Sequence, residues 1–558
     1  MTPKQKPLSL TLNMTLRTIS IAYFCLELAL QNELPTYAGG LGILAGDTLK
    51  TAADIGLNYC GVSLLYREGY FKQSLDYNNC VQIEQPDTWE PRQFCQLMNN
   101  TFEMQIFQDK FKVQIWEYSI KSKSEVKVYL LDTNVAGNSD FAKSITQNLY
   151  CANNNLRLAQ EILLGVGGML ALGFVSDKIP DKIHLNESAA AFLIPQLQLD
   201  TDMESAKKSL VFTTHTPEVH GHRQYEWSLL QSAFSPEIYN QLKLGYKHDD
   251  QLFNQTRYCL ENSGFCNAVS KIHQSVSKQM FPGYPIESVT NGVHERWISP
   301  NRSRIYKQYL GDFETDKINF HKIKQIPNDI WVAAHYQDKQ DLVQEIKQRT
   351  SFELDPKIFT IGFARRVDPY KRHGLLIDEF PKLEEFANQV GGLQIIYSGK
   401  AFVGTGGSNS GLNLLLQAIK NIPSASLLKV VYVPNYNLDL GLKLVNGVDL
   451  WLNNPIVGKE ACGTSGMKAN INGIPNLSTL DGWWSEGSVE GMTGFNIIGN
   501  SEIEEKSNLV AKLSYIINLC KSEPDQYLEL TKNCALLNSP YFSSRRMLEE
   551  YLLKAYLK

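Results

Sequence analysis

Four cations within eight residues, Arg365, Arg366, Lys371 and Arg372 in GFARRVDPYKRHG, follow directly on an apolar strand-like run. At the carboxyl end of a strand, arginine forks and a lysine point charge can converge on one phosphate; the competing reading is a solvated basic loop. The chain carries 54 Lys+Arg against 58 Asp+Glu, a formal charge of −4, so no general basic excess accounts for the cluster. That balance supplies no field for nucleic acid, and any anion must be bound locally.

A second segment, GKEACGTSGMKANINGIPNLSTLDGWWSEG, places Glu460, a Cys462-Gly463-Thr464-Ser465 turn and Lys468 within nine residues. Backbone amides, small hydroxyls and a lysine able to form a Schiff base suit a sugar and phosphate pocket, although such a lysine is also at home on a surface. In TYAGGLGILAGD, Gly39, Gly40, Gly42 and Gly46 precede a helix-like stretch. Glycines there let amides approach an anion, or simply make a tight strand-to-helix turn. VFTTHTPEVHGH closes a strand with His215 and continues to His220 and His222. No carboxylate or cysteine completes a metal shell at standard spacing, so the expectation is no metal and a histidine that either meets a substrate hydroxyl or is satisfied in the core.

The elements that must position these residues alternate between apolar runs and amphipathic helical stretches, which predicts α/β layers. TISIAYFCLEL, LNYCGVSLLY, KIHLN, SLVFTTH and IESVTNG read as strands of a first half, with FEMQIF, FKVQIWEYSI and SEVKVYLLDT as an inserted antiparallel meander. KIFTIGFARR, LQIIYSGK, LKVVYVPNY and VDLWLNN read as strands of a second, doubly wound half, with ligands at their carboxyl ends. The polar stretch Ser299 to Ile326 is the predicted hinge. The expected domains are residues 1–298, an α/β domain with the meander; 299–530, an α/β domain binding the anions; and 531–558, a helical segment with Met547, Leu548, Tyr551, Leu552 and Tyr556 on one face.

At 558 residues the chain exceeds a typical domain of about 150 residues several-fold, and 43% hydrophobic with 20% charged residues excludes a disordered chain or fibre. The longest apolar run, Leu163 to Val175, is short of the ~20 residues that span a bilayer, so no membrane span is expected. A signal peptide is not expected either, because Glu27 interrupts the early apolar stretch. Ten scattered cysteines without a C-x-x-C pair suit reduced thiols in the cytoplasm.

In this order, IAYFCLELALQNELPTYAGGLGILAGD, GVSLLYREGYF, LRLAQEILLGVGG, TTHTP, VSKIHQ, VTNGVHERW, FARRVDPYKR, YSGKA, VVYVPNY and EACGTSGMKANINGIPNLSTLDGWW resemble the α-glucan phosphorylase family, the glycogen and maltodextrin phosphorylases, in a short form. The resemblance covers most of residues 20 to 490. It implies two Rossmann-like domains facing across a cleft (GT-B type). It also implies transfer of the non-reducing-end glucosyl unit of an α-1,4-glucan, glycogen or maltodextrin, to inorganic phosphate, with retention, giving glucose 1-phosphate. The implied cofactor is pyridoxal 5'-phosphate on Lys468, with Arg365, Gly40, Thr464 and Ser465 around its phosphate and Tyr436 along its ring. Arg366 and Lys371 would clamp the substrate phosphate; His215, Asn291, Glu460 and the backbones of Ala461, Cys462 and Gly463 would hold the donor glucose. The resemblance further implies a cytoplasmic enzyme, with no nucleic-acid or membrane partner, and a homodimer as assembly. Ala189 stands where the family commonly has histidine, and Cys462 where serine is common. The family's N-terminal regulatory segment is not expected, nor phosphorylation or nucleotide control. The alternatives are a sugar-nucleotide glucosyltransferase of glycogen synthase type, which Lys468 eight residues after Glu460 disfavours, and a non-catalytic glucan-binding relative, which Ala189 favours.

Overall fold

The computed structural model describes residues 19–76, 81–84, 89–151, 153–400 and 408–558. The basic start of the chain and Ala401 of the YSGKA segment lie outside the described residues. The chain divides into two compact units. The first gathers the described residues up to Tyr70, those between Pro86 and Thr290, and Met547–Lys558; the second takes Phe71–Gln85 and Asn291–Arg546.

The first unit is built on a nine-stranded sheet. Its strands are β1 (Ser20–Phe24), β2 (Asn58–Leu64), β3 (Gln96–Ile106), β4 (Asp109–Lys121), β5 (Glu125–Asp132), β6 (Lys182–Asn186), β7 (Leu210–Thr213), β8 (Phe265–Ala268) and β9 (Ile286–Ser288). Their order is β9-β8-β7-β6-β1-β2-β5-β4-β3. All neighbours from β9 to β5 are parallel, and only the β5-β4-β3 end is antiparallel. The predicted meander is therefore no separate insertion: β5 pairs in parallel with β2, and the meander extends the main sheet. The burial reflects the difference, since β6 and β7 are buried throughout, whereas β3 alternates buried and exposed residues from Phe102 to Ile106 as a strand with one wet face does. The helix Gly40–Ile55 links β1 to β2. It packs so closely on the loop after β1 that a Cβ on Gly46 would lie 2.1 Å from the Ala29 carbonyl oxygen.

One described helix, Asn154–Val175, is long and apolar enough to cross a membrane, yet most of it is buried inside this unit. Its apolar residues belong to the core that includes Phe24, Val62, Leu131 and Phe192. The C-terminal segment behaves likewise, with Met547, Leu548, Tyr551, Leu552 and Tyr556 buried beside Leu44, Leu49 and Tyr59. Its hydroxyls also enter the sheet's polar groups: Tyr556 OH lies 2.6 Å from His184 Nδ1, and Tyr551 OH lies 3.0 Å from both Thr213 Oγ1 and Asn267 Nδ2.

The second unit carries a six-stranded sheet, all parallel: β10 (Thr360–Ala364), β11 (Leu393–Ser398), β12 (Leu428–Val433), β13 (Leu450–Asn453), β14 (Asn476–Thr479) and β15 (Gly494–Ile497), in the order β12-β11-β10-β13-β14-β15. The order reverses between β10 and β13, and such a switch point leaves a crevice at the strands' carboxyl ends.

Three expected boundaries move. The division falls at Thr290/Asn291 rather than at 298, and residues 531–558 split, because only Met547 onward joins the first unit. Residues 71–85 belong to the second unit, where Gln73 Oε1 accepts from Tyr432 OH at 2.8 Å and Leu75 packs on its core. The predicted hinge, Ser299 to Ile326, is folded structure of the second unit: Ser299 caps the helix Pro300–Leu310, and Tyr306, Leu310, Phe313, Phe320 and Ile323 surround Trp331. Its polarity misled because Arg302 is buried, with its guanidinium 3.7 Å from the Trp331 ring centroid.

Candidate functional site

In the second unit the switch point is lined by the turn after β10 and the loop after β13. The backbone N–H of Arg365, the first residue past β10, donates to the Ser398 carbonyl at 3.0 Å. Next to Ser398, Gly399 has φ +137°, and a Cβ there would lie 1.7 Å from the Arg365 carbonyl oxygen. Gly399→Ala is therefore expected to cost about 3 kcal/mol in urea denaturation, because either the strained positive-φ backbone or Arg365 must move. Unchanged stability would show that this contact does not set the Arg365 backbone.

The four clustered cations separate into three roles. Arg365 and Lys371 are buried and share Glu460: an Arg365 Nη2 contact and Lys371 Nζ, at 2.9 Å, meet the same carboxylate oxygen. Arg366 is half exposed, 3.3 Å from Asp368. Arg372 turns away to Glu505 and to the carbonyls of Asn454 and Pro455, at 2.8 and 3.1 Å, which ties the turn to the loop after β13. Of the pair expected to clamp the substrate phosphate, Lys371 meets Glu460 together with Arg365, while Arg366 meets Asp368.

Burial alone would raise the Glu460 pKa, but Arg365 and Lys371 outweigh it and hold the carboxyl down to about 2. Two cations against one ionised carboxylate leave net positive charge, and Arg365 Nη1 is buried without a hydrogen-bond partner among the described residues. A buried guanidinium N–H in that condition suits an anionic acceptor. The Glu460 backbone N–H is received by Asp481 Oδ2 at 2.9 Å, and burial pushes the Asp481 carboxyl up to about 6.

The rest of the motif folds around the same loop. Gly463 takes φ +78°, and the Cys462 carbonyl accepts from the Trp483 N–H at 2.9 Å. The Asn291 backbone meets the Cys462 thiol, and Asn291 Oδ1 is buried without a partner among the described residues, an acceptor suited to a hydroxyl. Thr464 directly precedes the helix Ser465–Ile471 without a side-chain capping hydrogen bond, and Trp451 Nε1 donates to Ser465 Oγ at 3.2 Å. Lys468 lies in that helix and is buried, its Nζ 3.8 Å from the Trp297 ring centroid, so it is not a surface lysine. Tyr436 is half buried, its hydroxyl against Gly441, where a Cβ would come within 2.4 Å.

In the first unit, the glycine turn has an anion of its own. Glu27, buried just past β1, accepts from the N–H groups of Ala38 and Gly39 at 2.6 and 3.0 Å, and from Tyr150 OH at 2.8 Å. The amides expected to cradle a ligand at this turn are in part taken by a side chain, and Gly40 opens the helix beyond them. His215, His220 and His222 take separate surroundings: His220 is exposed, His222 Nδ1 meets Thr256, and His215 Nε2 lies 2.7 Å from Asn186 Oδ1. The His215 N–H donates to Glu187 Oε2 at 2.6 Å. Sequence reasoning missed Glu27, Asn186 and Glu187; a carboxylate interrupting an apolar strand end was the available signal for Glu27. Ala189 is buried in the 3-10 turn that follows Glu187.

A model of the carbohydrate phosphorylases matches residues 28–161 and 232–513. The chain belongs to the carbohydrate phosphorylase family. This phosphorylase is similar to the maltodextrin phosphorylase of Thermococcus litoralis, 32% identical over 601 residues, covering 96% of this chain and 70% of the relative. It is similar to the glycogen phosphorylase of Aquifex aeolicus, 31% identical over 604 residues, covering 96% and 86%. An uncharacterised protein of Methanocaldococcus jannaschii is 30% identical over 551 residues, covering 96% of the phosphorylase and 99% of that protein.

Proposed function

We propose that this phosphorylase transfers the non-reducing-end glucosyl unit of an α-1,4-glucan, glycogen or maltodextrin, to inorganic phosphate with retention, releasing glucose 1-phosphate. The observation that carries this reading is the buried Arg365–Glu460–Lys371 group, with an unpartnered guanidinium N–H, in the same unit as a buried lysine. The family relationship supports the reaction, and the same residues fit pyridoxal 5'-phosphate, with Lys468 as its covalent anchor. When bound, that cofactor supplies a phosphate group able to exchange a proton with the substrate phosphate.

The chain's own residues then have distinct tasks. Arg365 and Lys371 offset the mutual repulsion of two phosphates, and Glu460 keeps both cations oriented without neutralising them. Thr464, Ser465 and Gly40 are proposed beside the cofactor phosphate and Tyr436 beside its ring. Arg366 reaches the substrate phosphate from its half-exposed position. His215, Asn291, Glu460 and the backbones of Ala461, Cys462 and Gly463 hold the donor glucose. This assignment requires the two units to face one another across a cleft, which is part of the proposal. The nine described cysteines are free thiols, which fits work in the cytoplasm.

Arg366→Ala tests the reading. An arginine aimed at a dianion gains strength as charge reorganises, so phosphorolysis is expected to fall about a hundredfold, while calorimetric binding of a maltooligosaccharide stays near wild type. Phosphorolysis at the wild-type rate would remove Arg366 from the phosphate site.

A further inference from the structure

We infer that Asn186 is a positioning residue that holds the His215 ring as its Nε2–H tautomer, leaving Nδ1 as a pure acceptor that reads a sugar hydroxyl and rejects an anion. The inference rests on the proposed placement of His215 at the donor glucose.

Asn186 ends β6 and is buried, and its Oδ1 lies 2.7 Å from His215 Nε2. Its amide nitrogen is engaged elsewhere, donating to Cys25 Sγ at 3.2 Å, a sulfur that also receives the Glu27 backbone N–H. Asn186 therefore offers the imidazole only a carbonyl oxygen, and a carbonyl oxygen requires a proton on Nε2. The ring is also kept neutral: burial lowers its pKa to about 3, with His273 and His184 adding to the effect. Cys25 stays a thiol, its pKa pushed up to about 12 by burial. A neutral ring protonated at Nε2 has a lone pair on Nδ1 and no second N–H.

The backbone is held as firmly. Glu187 sits at φ +79°, unusual for a residue with a side chain, and its Oε2 accepts both the His215 N–H at 2.6 Å and Thr216 Oγ1 at 3.1 Å. Its own N–H donates to the Thr213 carbonyl at 3.0 Å, so the ends of β6 and β7 are locked together around His215. An acceptor-only nitrogen attracts a hydroxyl hydrogen and repels phosphate oxygens. That would separate sugar recognition from phosphate recognition without any added residue.

Ring-nitrogen NMR of protein labelled with 15N-histidine, with His215→Gln identifying the signal, reads the tautomer directly. The wild type is expected to show the neutral Nε2–H form at pH 7, Asn186→Leu to lose it, and Asn186→Asp to keep the proton on Nε2 while bringing ring protonation toward neutral pH. In the synthesis direction, glucose 1-phosphates monodeoxygenated or monofluorinated at each hydroxyl in turn form the second readout. At one position both changes should cost the wild type about tenfold in kcat/KM, since neither hydrogen nor fluorine donates to Nδ1, and Asn186→Leu should lose that selectivity. A wild-type Nδ1–H tautomer, or an unaltered tautomer in Asn186→Leu, would overturn the inference. Absence of any turnover with glucose 1-phosphate would instead count against the proposed function, while the ring spectra still decide the tautomer.

Discussion

Lys468→Ala is expected to purify folded, without a pyridoxal chromophore, and with phosphorolysis lowered at least about a thousandfold, within the range that positioned proton transfer contributes to catalysis. The substitution leaves the helix Ser465–Ile471 with a better helix former, and Trp297 keeps its backbone contact, its carbonyl accepting from Asn472 Nδ2 at 2.7 Å. The effect should therefore be chemical rather than structural. Because the ammonium is buried and lies over an aromatic ring, no neighbouring surface lysine has the same surroundings to replace it. An absorbance spectrum of both proteins, with borohydride reduction and peptide mapping of the wild type, makes the check. A chromophore retained by Lys468→Ala, or a label on another lysine, would defeat the assignment.

The second large effect is on stability in mild acid. His184, His222 and His273 are buried in the first unit, and burial lowers their pKa values to about 3, 4 and 4. Unfolded, each would titrate near 6.5, so below that pH the unfolded chain binds protons that the folded chain refuses. Stability is thus fully present above about pH 6.5 and falls progressively as pH drops toward the folded values. At pH 5.5 each histidine costs about 1.4 kcal/mol relative to neutral pH, about 4 kcal/mol for the three. Glu187, whose pKa is raised by burial, works in the opposite direction at lower pH. In the second unit, Glu460 and Asp449, both held down to about 2, lose their contribution only in stronger acid. Urea denaturation at pH 7.5 and 5.5, followed by histidine NMR, measures this. Equal midpoints at the two pH values would mean that these rings are not held neutral.

Much of this architecture could be read from the amino acids, and the omissions have physical causes. β1 and β10 to β13 are compact, mostly apolar runs, and their burial on both faces is what made them legible. β14 and β15 are four-residue segments, NLST and GFNI, too short and too polar to stand out from loops. The cation cluster was recognisable as an anion-binding candidate, but which two of its members converge depends on the 3-10 turn Pro369–Lys371, whose direction spacing alone does not give. Lys468 was ambiguous because a lysine's burial is a property of the fold. Glu27 and Asn186 act on residues 11 and 29 positions away in the chain, through contacts that exist only once the strands are aligned.

The way the chain is shared between the units constrains the order in which the protein can be made. The first unit's apolar cluster around Leu44, Leu49 and Tyr59 needs Met547, Leu548, Tyr551 and Tyr556, which leave the ribosome only after the second unit's residues 291–546. All of Asn291–Arg546 is synthesised while that cluster lacks its final face. The second unit, in turn, takes Phe71–Gln85 from within the first. N-terminal-first domain folding, common in multidomain chains, therefore cannot run to completion here. The nascent first unit must wait with part of its apolar surface uncovered, and no cut at a single point in the chain yields two self-sufficient fragments.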